Sequence, residues 1–157
     1  MAKQESSRED LLRDGKNFLF RGEVALHGCK VVVGFRDLNQ CSIYCGEDPV
    51  FQFNADAKLR RVFFQGVVYR AAVGELMQMR RSSKGGRVLF DSSQAPDDVM
   101  TQIQFSLGEW LANLRVALRE AEWRVIGESR EEFLRRLEVF LSRVSAPVSI
   151  AHAPNLN

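Results

Sequence analysis

From Phe18 to Phe90 the apolar positions recur every second residue, and turn-forming residues interrupt them at short intervals. Phe18 and Phe20, then Val24 and Leu26, alternate with polar neighbours. Val31, Val33 and Phe35 form one face of the next strand, and Cys41, Ile43 and Cys45 form one face of the strand after it. A three-residue loop, Asp37-Leu38-Asn39, sets Phe35 opposite Cys41, Val33 opposite Ile43 and Val31 opposite Cys45. A two-residue loop would send these apolar sets to opposite faces, so the pattern selects three.

Further hairpins follow the same rhythm. Val50–Phe53 turns at Asn54-Ala55-Asp56 into Leu59–Phe64, and Gln65-Gly66 makes a tight turn into Val67–Ala71. Val73-Gly74-Glu75 leads to Leu76–Arg80, and Ser82–Gly86 precedes Arg87–Phe90. With no crossover helix among them, these six to eight short strands form a mainly antiparallel meander over roughly residues 18–90.

The period then changes to 3.6. Pro96, Asp97 and Asp98 suit a helix start. Val99, Ile103, Leu107, Trp110, Leu114, Leu118 and Ala121 make one stripe, which predicts a helix over roughly 96–122. Val125 and Ile126 can add a short strand. Ser129-Arg130-Glu131-Glu132 has capping-box spacing and opens a second helix over roughly 129–145, with Phe133, Leu137, Phe140, Leu141 and Val144 as its buried face. A short helix is also predicted over Ser6–Asp14, stopped by Gly15. Strands first and helices last make an α+β fold, read as one domain over 1–147 with a loose tail over 148–157. Two amphipathic helices cover one sheet face and leave the other to solvent or to a partner.

Composition narrows the class. The chain has 157 residues, enough to bury a core without disulfides or metals, and a net charge of +2. The apolar stretch Val99–Gly108, ten residues between Asp98 and Glu109, is too short to span a membrane, and MAKQESSRED has no apolar signal run. Three cysteines, an odd number, fit free thiols. The expectation is therefore a cytoplasmic protein without a membrane partner.

Chemistry is sparse in the sequence. His27, Cys29, Cys41 and Cys45 resemble a zinc set in type, but Cys41 and Cys45 stand about 13 Å apart along one strand and cannot share a tetrahedral ion. Buried small hydrophobes are the expected role of these cysteines. No nucleophile elbow, phosphate-binding lysine loop or dinucleotide fingerprint occurs. No catalytic residue, metal or cofactor is assigned, and the chain reads as leaning away from an enzyme.

Charge changes the picture in one place. Residues 58–91 hold eight basic residues (Lys58, Arg60, Arg61, Arg70, Arg80, Arg81, Lys84, Arg87) against Glu75 and Asp91, a net of +6. Strand alternation divides the set. Val67, Tyr69, Met77, Met79, Val88 and Phe90 read as core, so Arg70, Arg80 and Arg87 point outward. Arg70 then stands opposite Gln78 with Arg80 on the diagonal, and Arg80 stands opposite Arg87. Arg60 and Arg61 fall on opposite faces of a regular strand, so only one joins the stripe, and Lys58 and Lys84 sit at turns. Most aromatics of the stretch go to the core. The candidate binding set is Arg70, Arg80, Arg87, Arg61, Lys58 and Lys84. It suits a protein partner or a second copy docking on the open face or a strand edge, or an anion or nucleic acid on the arginines. A solvated face neutralised by acids of the same fold, and a ligand pocket between sheet and helices, are the other readings.

Overall fold

The computed structural model describes residues 18–36, 40–72, 74–81 and 88–144, with side chains for all of these except 80, 81 and 88–93. Eight strands follow one another: β1 (Phe20–Leu26), β2 (Cys29–Phe35), β3 (Cys41–Cys45), β4 (Asp48–Phe53), β5 (Leu59–Phe64), β6 (Val67–Ala72), β7 (Glu75–Arg81) and β8 (Val88–Gln94). Helix α1 (Asp97–Glu120), strand β9 (Arg124–Ile126) and helix α2 (Arg130–Arg143) complete the order. The strands form one antiparallel meander, and β9 pairs with β1, so the sheet runs β8-β7-β6-β5-β4-β3-β2-β1-β9. The predicted helix at Ser6–Asp14, the loops 37–39 and 82–87, and the tail lie outside the described residues.

Sheet width explains the long helix. From β8 to β9 are eight steps of about 4.8 Å, roughly 38 Å. The 24 residues of α1 rise about 36 Å. The helix therefore carries the chain from one sheet edge to the other across a single face. Just before it, the Ala95 N–H donates to the Leu76 carbonyl on β7. Midway, Trp110 packs edge-on against Phe51 of β4 with ring centroids 6.3 Å apart, a separation usual for aromatic pairs. Beyond its end, the buried Trp123 indole donates to the Ala117 carbonyl at 2.9 Å, capping the last turn.

The predicted stripe is buried at Ile103, Leu107 and Leu114, joined by Leu111 and Ala117. On α2, Ser129 accepts from the Glu132 N–H at 3.1 Å, as the capping spacing predicts. Phe133, Leu137, Phe140 and Leu141 are buried, and Phe35 and Phe53 meet Phe140 edge-on. Phe133 lies so close to β1 that only a glycine fits at position 22.

The predicted register of the β2–β3 hairpin holds at all three pairs. Gln65 and Gly66 both take positive φ, as a two-residue hairpin turn of the mirror-image type requires. Two readings are corrected. Cys29 and Cys45, diagonal neighbours at the end of β2 and β3, form a disulfide with Cα atoms 6.3 Å apart. Only Cys41 is a free thiol, fully buried, and burial raises its pKa far above the usual thiol range. The odd cysteine count therefore no longer argues for a reducing compartment. Phe18, expected to share a face with Phe20, lies on the other side of the sheet. Its ring covers Gly34 and meets Tyr44 edge-on at 5.9 Å, and these two with Val32 form a small second core.

Candidate functional site

The sheet face away from the helices is not uniform. Over β9, β1 and β2 it is closed by charge and ring. Glu23 is 7% exposed, with Arg21 at 3.1 Å, Arg124 at 3.2 Å and Lys30 at 3.4 Å. Three cations around one buried carboxylate form a structural ion cluster, and its basic side chains are already engaged. Phe18, Val32 and Tyr44 cover the adjoining patch.

Across β4, β5, β6 and β7 the same face is different. Gln52 pairs with Arg61, Arg61 with Arg70, and Arg70 with Met77. Directly opposed residues of an antiparallel pair share a face with Cβ atoms about 5 Å apart, so Arg61 and Arg70 are in direct like-charge opposition. The next row is Phe63, Val68 and Met79. All three are half-buried, as is Met77.

Arg60 joins this cluster because β5 is not regular. Gln52 pairs with Arg61 but Phe53 pairs with Leu59, so the extra residue is absorbed as a bulge at Arg60. Leu59 and Val62, three residues apart, are both buried in the core, and both arginines between them are displaced outward. The expectation that Arg60 and Arg61 take opposite faces assumed a regular strand and is corrected. Arg36, just beyond β2, completes the group. Burial lowers the Arg61 pKa from its ordinary value, and the charges of Arg60, Arg36 and Arg70 lower it further. Arg36 also acts electrostatically on Tyr44, which is hydrogen-bonded to Gln52. Neither Arg61 nor Arg36 makes an ion pair with a carboxylate among the described residues. The group is rich in hydrogen-bond donors, and guanidinium forks favour carboxylate or phosphate oxygens.

The predicted stripe is thereby redrawn. Arg70 lies opposite Met77, not Gln78, because Ala72 pairs with Glu75 and the connection is one residue shorter than expected. A slip of one residue moves a whole strand face. Leu76 therefore goes to the core, while Met77 and Met79, expected there, stay half-buried in the series of Arg70. Arg80 pairs with Leu89, not with Arg87. Lys58 is exposed at a turn whose Asn54 side chain accepts from the Asp56 and Lys58 N–H groups. Lys84 and Arg87 lie outside the described residues. Of the predicted set, Arg61 and Arg70 are brought together. Arg36 and Arg60 were missed, although the odd spacing Leu59-Arg60-Arg61-Val62 carries the signal of a bulge.

The sheet–helix interface is filled with apolar side chains, among them Phe35, Phe51, Phe53 and Phe133. A cleft of about 230 Å³ opens at its rim beside Phe35, Ala57 and Phe140. Its Arg135 and Arg136 are held by Glu132 and Glu128 at 2.6 and 2.9 Å. Among the described residues no three His, Cys, Asp or Glu side chains are placed to hold a metal, and no helix is long and apolar enough to cross a membrane. No protein-family model, no curated protein and no solved structure matches this chain.

Proposed function

We propose that the protein is a non-catalytic interaction module that binds an acidic segment of another protein on the open face of its sheet. The observation that carries this reading is the cluster of Arg36, Arg60, Arg61 and Arg70 beside half-buried Phe63, Val68, Met77 and Met79. Like charges brought together at a bulge cost stability, and an anion placed between them offsets that cost. Thioethers and a valine adapt to apolar side chains of a peptide.

Nucleic acid is the second reading, favoured by the arginines alone. The neighbours of the cluster count against it, because base stacking needs exposed aromatic rings, and of the rings on this face Tyr44 is buried and Phe63 half-buried.

Fluorescence anisotropy with two probes separates the readings: a peptide of alternating glutamate and leucine, and a single-stranded oligonucleotide of equal net charge. Tighter binding of the peptide, lost at least tenfold in Arg61→Glu and Arg36→Glu, is the expected result. Tighter binding of the oligonucleotide, with affinity falling steeply as salt rises, favours nucleic acid. No binding of either probe at low salt removes the proposal.

A further inference from the structure

The row of the open face that holds Arg61 and Arg70 runs back to the place where the chain enters the fold. Gly34 on β2 pairs with Ser42, Ser42 with Gln52, Gln52 with Arg61 and Arg61 with Arg70. The Phe18 ring lies over Gly34, at the head of this row. The Leu19 N–H donates to the Phe35 carbonyl at 2.8 Å, so the chain preceding Phe18 leaves the sheet at the end of β2 that carries Arg36.

Residues 1–17 lie outside the described residues, yet their sequence has the chemistry this cluster takes. From Glu5 to Asp14 there are four carboxylates, Glu5, Glu9, Asp10 and Asp14, against Arg8 and Arg13, a net of −2. Leu11 and Leu12 stand between Asp10 and Asp14. The opposite terminal stretch, 145–157, has no carboxylate at all. The distances also match. Along the sheet order, β5 is three steps from β2 and β6 four, about 14 and about 19 Å at about 4.8 Å a step. At about 3.3 Å per residue of extended chain, Asp14 reaches about 13 Å from Phe18 and Asp10 about 26 Å, which brackets Arg61 and Arg70.

We infer that the segment Glu5–Asp14 of the same chain occupies the arginine cluster and that an acidic partner has to displace it. Its carboxylates meet the guanidinium groups of Arg36, Arg60 and Arg61, and its leucines meet the half-buried apolar row beside them. The inference rests on the reading of this face as a site for an acidic segment, and adds that the site is regulated from within the chain. A short tether gives the segment a local concentration of order millimolar, so a weak contact suffices to keep the cluster filled. A partner then binds more weakly by the fraction of molecules in which the cluster is open.

Two measurements on the full chain test this. A nitroxide attached through Ser7→Cys reports where the segment lies, because Cys41 is buried and Cys29 and Cys45 are bonded to each other, which leaves the new thiol as the reactive one. The expected result is broadening of the Met77 and Met79 methyl signals but not of Met100, which packs from α1 against the covered face. Arg36→Glu combined with Arg61→Glu abolishes the broadening. The second measurement is anisotropy with the glutamate–leucine peptide. Glu9→Gln, Asp10→Asn and Asp14→Asn together raise its affinity at least threefold, and Arg8→Gln with Arg13→Gln lowers it. Absence of the broadening overturns the inference, and so does equal peptide affinity in parent and both variants. Broadening that appears only when nitroxide and observed methionines are on different molecules assigns the contact to a second copy and overturns it too. Broadening within one molecule, with no peptide bound by any of the three proteins, supports the internal contact and removes the reading of a partner site, so the two failures are told apart.

Discussion

Arg61 on β5 and Arg70 on β6 stand directly opposite one another on the open sheet face, two like charges at the closest spacing an antiparallel pair allows. Folding has to hold them there, and a binding partner gains from finding them there. Arg61→Gln relieves the opposition and is expected to stabilise the free protein by about 0.5 kcal/mol, within the range of such cross-strand pairs. For a chain of this size that raises the thermal midpoint by about 1–2 °C. The same variant is expected to bind the acidic peptide more weakly. A thermal scan and an anisotropy titration on one preparation check both signs, and a lower midpoint would show that Arg61 contributes packing the register does not reveal.

The disulfide makes a different prediction. Cys29 and Cys45 are 16 residues apart, and closing a loop of about 15 residues is worth about 3 kcal/mol in the chain-entropy account. Reductant, or replacement of both cysteines by serine, is expected to lower the thermal midpoint by about 6–12 °C. Thiol titration without reductant should find no reactive thiol in the native protein and one in guanidinium, because Cys41 is wholly buried and its thiolate is strongly disfavoured. Three thiols in unreduced guanidinium would contradict the bond.

Glycines divide by what surrounds them. Gly22→Ala drives a methyl into the Phe133 ring and is expected to cost about 1–3 kcal/mol. Gly108→Ala meets open space in a helix and is expected to gain about 0.5–1 kcal/mol. Denaturant unfolding of the pair should show opposite shifts of midpoint.

Alkaline pH acts through Tyr44 and Tyr69, the two tyrosines of the chain. Burial raises both pKa values above the ordinary value near 10; the Arg36 charge and the Gln52 hydrogen bond partly offset this at Tyr44, and the Asp98 charge adds to it at Tyr69. An unfolded chain loses these protons near pH 10, whereas the folded chain keeps them to higher pH. Their contribution is therefore complete below pH 10 and is lost as pH rises through the folded values. Absorbance titration of the phenols should show both ionising late in the folded protein and near pH 10 in guanidinium, with unfolding free energy falling above pH 10.

The sequence by itself determined the order of the elements, the antiparallel meander, both C-terminal helices, the buried residues of α2 and, on α1, Ile103, Leu107 and Leu114 but not Leu111 and Ala117, because period and turn chemistry are local properties of the chain. The β2–β3 register was legible for the same reason: apolar alternation on both sides of one loop leaves a single loop length that buries both sets. The arginine cluster was not legible, and each step that makes it is a matter of pairing. The β6–β7 connection is one residue shorter than its composition suggests, and this exchanges Met77 for Leu76 in the core. The β5 bulge depends on which residue of β4 faces Leu59, and that is settled by Leu59 and Val62 both seeking the core. Arg36 comes from another hairpin altogether. The disulfide, too, formed only because the strand ends converge. A one-residue shift is nearly silent in local propensity yet reverses every side chain beyond it, so only the tertiary structure, through the burial of the opposite face, decided which charges meet.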